Sequence, residues 1–345
     1  MIDAGHFLYP GQTSASFQLT LSDGMRFCLR GGDASAAAVV GFWARVAGLP
    51  PMAPMQDGPS PCRVLALTDA HSIFSGARPS MPAPPADADC ICRLEPVGAP
   101  RRPRKASPDG RRKIGRTEPT TLDEREWSWQ QLSRLSACIG REVQRRGGVL
   151  LHSGLGEYAP HAGSPYAGDG RETGREAKRA GDGFGFLLAG RSGVGKSTVC
   201  RRLPPPWRAL ADDMTLVARD AAGAFWAHPF PTWSRLFGKD AEGGPDAWDV
   251  QYAVPLRAIY VLEQGREDRV EPLGQGHALS MLAVSARQAS NHYTLGLPLE
   301  QLTLFHQECF DNLRALVASV PAFQLHVSLE GSFWHKIVPH EESKE

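Results

Sequence analysis

The sequence predicts an α/β fold from about residue 120 onward, with a small α+β module before it. Short apolar runs of strand length alternate with segments of helical periodicity in both regions. A Pro- and Arg-rich stretch separates the two regions. A glycine-rich turn, Gly190-Arg-Ser-Gly-Val-Gly-Lys-Ser197, joins one apolar run to one helical segment. We therefore expect a module at 1–78, a linker at 79–119 and a main domain at 120–340.

The N-terminal module is predicted to contain a hairpin, a helix and one further strand. Two apolar runs, 17–21 and 25–29, flank the turn signal Ser22-Asp-Gly, which is typical of a β-hairpin. Apolar residues at helical spacing then predict a helix over 35–49, and 62–69 has the composition of a strand.

The linker is predicted from its composition. It offers little apolar surface to bury, and seven Lys and Arg residues lie between Arg101 and Lys113. A solvated charged loop and a docking patch for an acidic peptide or nucleic acid are both open interpretations of this run, and we favour the loop. A second stretch, Tyr158 to Gly183, is rich in Gly, Arg and Ala without periodicity and predicts an inserted loop.

The main domain begins with a capping signature, Thr121-Leu-Asp-Glu, which predicts a helix over 121–146. Apolar runs then predict strands at 149–152 and 184–189, and the second leads through the glycine-rich turn into a helix over 196–203. Further strands are expected at 208–217, 258–262 and 323–327, and further helices at 279–289 and 299–319.

Charge and hydropathy exclude several function classes. The formal net charge of +1 argues against a nucleic-acid-binding surface over the whole protein. No run of 18 apolar residues is present and no secretion signal is recognised, so we expect no membrane partner and a cytoplasmic location. The seven scattered cysteines suit a reduced compartment. Cys90 and Cys92 lack a second pair at zinc spacing, so we interpret them as part of a solvated loop.

The segment Gly190 to Ser197 satisfies G-x-x-x-x-G-K-[ST], the Walker A pattern of a phosphate-binding loop (P-loop), in the required strand-to-helix context. Its glycines let successive backbone N–H groups turn towards a phosphate. Lys196 would reach the β- and γ-phosphates, and the Ser197 hydroxyl would bind magnesium. ATP is favoured over GTP because no N-K-x-D segment follows. The expected nucleotide-binding residues are Gly190, Arg191, Ser192, Gly193, Val194, Gly195, Lys196, Ser197 and Thr198.

Two adjacent carboxylates, Asp212 and Asp213, follow a short apolar run beyond the helix of the loop. Carboxylates beside the phosphates of a nucleotide can accept the proton of an attacking hydroxyl and hold magnesium. Because side chains alternate along a strand, a bulge or a turn is needed for both to act at one site. A solvent-facing turn is the plainer alternative.

Three segments of the chain together form a pattern that is found in known proteins. They are Leu151-His-Ser-Gly-Leu-Gly-Glu157, Gly190-Arg-Ser-Gly-Val-Gly-Lys-Ser-Thr198 and Ala209-Leu-Ala-Asp-Asp-Met-Thr-Leu-Val217. In this order they resemble the HPr kinase/phosphorylase superfamily, and more closely the HPr-kinase-like ScmC proteins of SynChlorMet peptide-maturation cassettes. The likeness covers roughly residues 147–272. It implies a P-loop kinase fold akin to the phosphoenolpyruvate-carboxykinase type, and transfer of the γ-phosphate of ATP to a serine hydroxyl of a peptide or small protein.

The resemblance also implies roles for individual residues. By matching position, Asp212 would be the general base and Asp213 would bind magnesium, with Lys196 at the transferred phosphoryl group. His152 and Glu157 match positions that line this active site. Without the resemblance, His152 would be interpreted as a satisfied core histidine.

The chain also departs from that superfamily. Thr198 stands where those enzymes often have Glu, and no clear counterpart of their phosphorylase loop follows, so the reverse reaction is not implied. The inserted loop is longer than theirs, and the N-terminal module does not resemble their regulatory domain. His228 fits equally a position near the nucleotide and a structural position in a loop.

Together these observations predict an ATP- and magnesium-dependent serine kinase whose acceptor is a peptide or small protein of a ribosomal peptide maturation pathway, held by the N-terminal module. A small-molecule kinase and an ATP-sensing binding module without phosphoryl transfer remain open alternatives. No nucleic-acid partner is expected. The resemblance implies a homo-oligomer only by analogy with the hexameric HPr kinases.

Overall fold

The fold is described from a computed structural model of the chain. The structure describes residues 16–32, 34–49, 62–68, 90–94, 124–160, 183–231, 248–295 and 297–337. These residues form a mixed α/β fold with one four-stranded sheet and one larger mixed sheet, which confirms the α/β class. Most of the expected linker and residues 161–182 of the expected inserted loop lie outside the described residues.

The smaller sheet belongs to the N-terminal module. Its strands are β1 (Ser16–Thr20), β2 (Arg26–Gly31), β3 (Cys62–Thr68) and β4 (Cys90–Leu94), in that spatial order. The pair β1/β2 is the expected antiparallel hairpin, whereas β2/β3 and β3/β4 are parallel. The helix α1 (Ala34–Val46) connects β2 to β3 and contacts both strands. The predicted hairpin, helix and third strand are therefore confirmed.

The strand β4 corrects two expectations from the sequence. It lies inside the range assigned to the linker, and Cys92, which we expected in a solvated loop, is buried together with Leu94. Composition misled here because the Pro-rich flanks hide a five-residue strand whose backbone groups pair with β3. Alternate side chains of β4 then face the core.

The larger sheet contains the remaining strands. They are β5 (Val149–Leu151), β6 (Gly154–Tyr158), β7 (Phe184–Ala189), β8 (Trp207–Ala211), β9 (Thr215–Arg219), β10 (Phe225–Pro229), β11 (Val254–Gln264), β12 (Arg269–Pro272) and β13 (Ala322–Val327). The order is β5-β9-β10-β11-β7-β6-β8, and β13 pairs with both β11 and β12. Only the pairs of β11 with β7 and with β13 are parallel among the described strands of this sheet.

The helices of the main domain match their predicted positions. They are α2 (Glu124–Gln144), α3 (Lys196–Arg201), α4 (Gln275–Thr294) and α5 (Leu299–Ser319), and a 3₁₀ helix follows at Phe333–Lys336. The helix α4 contacts α2, α5 and β5 and covers one face of the sheet. No helix in the described part of the chain combines the length and the apolar character needed to cross a membrane.

The segment 208–217, expected as one strand, is two. The strand β8 pairs with β6 at one end of the sheet order, and β9 pairs with β5 and β10 near the other end. The chain breaks its strand at Asp212 and Asp213 because it must change pairing partners there. The strands β6, β10 and β12 were not expected from the sequence, since each pairs with partners that no local pattern reveals.

The larger of two hydrophobic core clusters joins the N-terminal module to the main domain. Trp43 of α1 is fully buried, its Nε1 donates to the Ser136 hydroxyl of α2 at 2.9 Å, and its ring centroid lies 5.8 Å from that of Phe230. The backbone N–H of Trp248 also donates to the Val46 carbonyl at 2.9 Å. The module is thus packed against the main domain through apolar and polar contacts.

His228 has a structural place in this interface. It is fully buried, its Nδ1 lies 2.9 Å from the Val250 carbonyl, and its Nε2 lies 2.9 Å from the Ser22 hydroxyl oxygen. The backbone N–H of Ser22 donates to the same Nε2 at 3.3 Å. Because that N–H requires an acceptor, Nε2 carries no proton and Nδ1–H donates to Val250. The ring therefore ties the hairpin turn to β10.

Replacing Trp43 by alanine should lower the free energy of unfolding by about 3–5 kcal/mol, because the change leaves a large cavity and removes the partner of Ser136. Since the core is shared, the protein should still unfold in one transition, measured by urea titration followed by circular dichroism. Leu329→Ala, at a side chain 92% exposed, is the control and should change stability by less than about 0.5 kcal/mol. Two separate transitions, one of them unaffected by Trp43→Ala, would contradict a shared core.

Candidate functional site

The glycine-rich turn follows β7 directly and ends in α3. Three of its glycines have φ values in the left-handed region, 152° at Gly190, 82° at Gly193 and 108° at Gly195. A Cβ added at Gly193 or Gly195 would meet nothing within 4 Å. Glycine is therefore favoured at these two positions by the positive φ angle and not by crowding. The N–H groups of the first turn of α3 have no partner within the helix and can bind a ligand.

Lys196 lies beneath this loop. Its side chain is buried, and its ammonium donates to the carbonyl oxygens of Gly190 at 3.1 Å and Arg191 at 3.4 Å. Burial lowers the pKa of Lys196, and the negative charge of Asp213 offsets part of that effect. The hydrogen-bond acceptors of the ammonium are neutral, so its charge can still attract an anion in the cavity.

The bend between β8 and β9 places the two adjacent carboxylates in different surroundings. Asp213 lines a cavity, and its Oδ1 lies 3.2 Å from Nε2 of His152. Asp212 is buried, with 8% of its surface exposed, and is not among the residues that line the cavity. The turn that we expected at Asp212 and Asp213 is present, but among these two side chains only that of Asp213 lines the cavity.

His152 follows β5 and is held by α4. Its backbone N–H donates to the Ser285 carbonyl at 3.3 Å, and the Ser285 hydroxyl donates to the His152 carbonyl at 3.0 Å. Burial lowers the pKa of the imidazole; Asp213 opposes this shift and Lys196 adds to it. The ring is therefore mainly neutral at pH 7, and Nε2–H can donate to Asp213, which leaves Nδ1 as the proton acceptor of the ring.

The cavity has a volume of about 650 Å³, within the range of small-molecule sites. One side is formed by the glycine-rich turn and the start of α3, and the other by α2, α4 and the segments after β8 and β10. The residues that line it are Leu132, Ser133, His152, Ser192, Gly193, Gly195, Lys196, Ser197, Thr198, Asp213, Met214, Pro231, Gln288, Ala289, Asn291 and His292. The structure thus brings together most of the loop, His152 and Asp213.

Glu157 is not brought to this cavity. In the antiparallel pair β6/β7, Glu157 lies opposite Gly185, whereas Gly154 lies opposite Leu188, close to the loop. Its buried carboxylate pairs with Nε of Arg208 at 2.5 Å and accepts a hydrogen bond from the Tyr252 hydroxyl. Burial raises the pKa of Tyr252 well above its usual value; the Glu157 carboxylate adds to this shift, and the Arg208 guanidinium opposes it. Glu157 is placed to hold β6, β8 and the segment that precedes β11 together.

Several residues of the cavity were not predicted from the sequence. Ser133 of α2 and Gln288, Asn291 and His292 of α4 belong to no motif and are far from the loop in the chain. The only local signal is the spacing of Ser285, Gln288 and His292, which places them along one face of a helix. That spacing becomes informative only when the packing of α4 against β5 is known.

The oxygen donors fit a magnesium ion that is shared with phosphate groups. Among the described residues, no cluster of three or more His, Cys, Asp and Glu side chains could hold a metal ion by itself. Magnesium bound with a nucleotide needs few protein ligands, because phosphate oxygens and water complete its coordination. Ser197 and Asp213 both line the cavity and supply a hydroxyl and a carboxylate of the preferred kind.

These features define a mixed α/β protein whose Walker A loop, imidazole and carboxylate meet in one cavity. Residues 176–339 match the family model of SynChlorMet cassette protein ScmC. The matched segment covers just under half of the chain and includes the loop, both aspartates and α4, and it leaves out His152 and Glu157. The resemblance to ScmC proteins is confirmed for this segment. No curated protein matches the chain.

The pKa of His152 provides a test of the site geometry. We expect a value below 6.5 in the wild type, a still lower value in Asp213→Asn and a higher value in Lys196→Ala, because these substitutions remove opposing charge effects. NMR titration of the His152 ring proton measures the pKa in all three proteins, and the signal is assigned by its absence in His152→Gln. Because the pKa of His152 is lower in the folded protein than in the unfolded chain, a falling pH protonates this residue in the unfolded chain first. His152 therefore lowers the free energy of unfolding as the pH falls from 6.5 towards its pKa in the folded protein. Equal pKa values in the three proteins would contradict the His152–Asp213–Lys196 arrangement.

Proposed function

We propose that the protein is an ATP- and magnesium-dependent P-loop kinase that transfers the γ-phosphate to a serine hydroxyl of a peptide or small protein. The observation that carries this proposal is the meeting of a Walker A loop with His152 and Asp213 in one cavity. Phosphoryl transfer needs phosphate positioning, charge stabilisation and a group that orients the attacking hydroxyl. The cavity offers a residue for each task. Residues 176–339 match the family model of SynChlorMet cassette protein ScmC, and the peptide acceptor is taken from the resemblance of the three sequence segments to ScmC proteins of peptide-maturation cassettes.

The glycine-rich turn and Lys196 would position and stabilise the transferred group. Backbone N–H groups at the start of α3 would bind phosphate oxygens, as the left-handed glycines allow. The ammonium of Lys196 would exchange its carbonyl contacts for phosphate contacts. Ser197 and Asp213 would hold magnesium, which supplies positive charge to the phosphates.

The proton of the attacking hydroxyl has two candidate acceptors. The superfamily resemblance assigns this role to Asp212. The geometry favours His152, because this mainly neutral imidazole lines the cavity and is oriented by the Asp213 carboxylate. We keep both assignments because one pair of substitutions separates them. Glu157 is given no part in the reaction, since its carboxylate is occupied by Arg208 and Tyr252.

We further propose that the N-terminal module helps to place the acceptor. Trp43 is bonded to Ser136 of α2, and Ser133, one turn earlier on the same helix, lines the cavity. The module therefore has a fixed relation to the cavity wall. The unoxidised thiols of Cys92, Cys138 and Cys309 accord with a reduced compartment, and we propose a cytoplasmic location.

Intact-mass spectrometry tests the reaction. The protein is incubated with magnesium-ATP and the peptides or small proteins encoded beside its gene, and we expect one acceptor to gain the mass of one phosphate. Lys196→Ala should abolish this gain and weaken ATP binding by about 10- to 100-fold, because a charge-assisted contact to phosphate is lost. Phosphorylation of a metabolite instead would indicate a small-molecule kinase. ATP binding without transfer to any acceptor would indicate a nucleotide-sensing module.

Asp212→Asn and His152→Gln separate the candidate bases. Loss of the general base should lower the transfer rate by about 10²- to 10⁴-fold while the Kd for ATP changes less than about threefold. Single-turnover kinetics with the acceptor identified above measures the transfer rate, and calorimetry measures the Kd for ATP. If Asp212→Asn retains transfer, the role implied by the superfamily resemblance is wrong. If His152→Gln retains transfer, the role favoured by the geometry is wrong.

A further inference from the structure

The cavity has a second wall that the proposed reaction does not use. It is formed by Ser133 of α2 and by Gln288, Asn291 and His292 of α4, which we call the neutral wall. Apart from Lys196 and Asp213, the described residues that line the cavity include no Lys, Arg, Asp or Glu. Ser133, Gln288 and Asn291 therefore present a hydroxyl and two amides, which carry no charge of either sign.

The position of the neutral wall follows from the contact between α4 and β5. Ser285 is bonded in both directions to the backbone of His152. Gln288 and His292 lie three and seven residues after Ser285, so they continue the same face of the helix. A molecule on the neutral wall thus stands beside the His152–Asp213 pair, where a phosphoryl acceptor must stand, rather than along the phosphate-binding loop.

The chemistry of the neutral wall selects its occupant. Gln288 and Asn291 each offer an amide that donates and accepts, which suits the N–H and C=O groups of a peptide backbone. An acceptor that carries a carboxylate or phosphate would need an Arg or Lys partner, and a cationic acceptor would need a carboxylate besides Asp213. Burying an unpaired charge against this wall would cost free energy.

We infer that the neutral wall is the acceptor subsite and that it binds a serine flanked by uncharged residues in a peptide. This inference rests on the proposed kinase function and deepens it. The Ser hydroxyl attacks the γ-phosphorus of ATP, the bond from that phosphorus to the β,γ-bridging oxygen breaks, ADP leaves and the hydroxyl proton passes to the base. Flanking charges, of either sign, reduce binding because the described residues of the wall include no Lys, Arg, Asp or Glu to pair with them.

Three synthetic peptides test the subsite directly. Each is an acetylated and amidated heptapeptide centred on one serine, with Asn, Asp or Lys two positions to either side. The three are mixed in equal amounts with the protein and magnesium-ATP, and phosphorylated products are quantified by mass spectrometry. We expect the Asn peptide to be favoured over each charged peptide by about fivefold, the upper end of the effect of one surface charge, because each charged peptide carries two charges.

A charge introduced on the wall should change this preference. Gln288→Lys should raise transfer to the Asp peptide about fivefold relative to the Asn peptide. Gln307→Lys, the same change at an exposed glutamine of α5 outside this cavity, is the matched control and should retain the wild-type preference. Asn291→Lys is a second variant on the wall if circular dichroism shows that Gln288→Lys perturbs α4.

The outcomes separate this inference from the proposed function. Transfer without preference for the Asn peptide, or an identical preference in Gln288→Lys and Gln307→Lys, would overturn the neutral wall as the acceptor subsite while the kinase function stands. ATP binding with no transfer to any of the three peptides would overturn a peptide as the occupant. Failure to bind ATP, measured in the same samples by calorimetry, would overturn the proposed function and this inference together.

Discussion

The site depends on one connection, the two hydrogen bonds between the backbone of His152 and Ser285. The strand β5 ends at this point and α4 crosses it, so the bonds fix the imidazole relative to both the sheet and the helix. The position of His152 then determines where its ring contacts the Asp213 carboxylate. The face of α4 that continues from Ser285 forms the other side of the cavity. One of the two bonds joins backbone groups and does not depend on any side chain, whereas the other requires the Ser285 hydroxyl.

The bend after β8 allows the adjacent residues Asp212 and Asp213 to depart from the alternating side-chain directions of a β-strand. Side chains at neighbouring strand positions face opposite sides of a sheet. By leaving the pairing with β6 after Ala211 and pairing with β5 and β10 as strand β9 from Thr215, the chain frees Asp212 and Asp213 from this alternation. One carboxylate is buried and the other meets His152 in the cavity. Neighbouring acidic residues thereby acquire different solvent exposure and different partners, which is the condition for different roles.

Local signals in the sequence were sufficient for the helices, the hairpin and the glycine-rich turn. In each case the information lies within a few residues: helical spacing in α2 and α5, the turn residues after β1, and the glycines whose φ values the loop requires. The strand β4 and the division of 208–217 were missed because both depend on pairing with distant strands. Glu157 was placed near the cavity by its motif, and only the register of β6 against β7 shows that it lies further away.

The buried cationic and neutral groups of the cavity explain why an anion should be its preferred occupant. Burial disfavours the charged forms of Lys196 and His152, and the single carboxylate of Asp213 compensates each only in part. A phosphate that enters beside Lys196 would replace two carbonyl acceptors by negatively charged oxygens, which are stronger partners for an ammonium ion. An anion bound beside Lys196 would therefore offset a further part of the free-energy cost of burying this lysine. In the proposed reaction, the neutral wall would add no strong competing attraction for that anion, so a phosphate would bind at the loop and an uncharged acceptor at the wall.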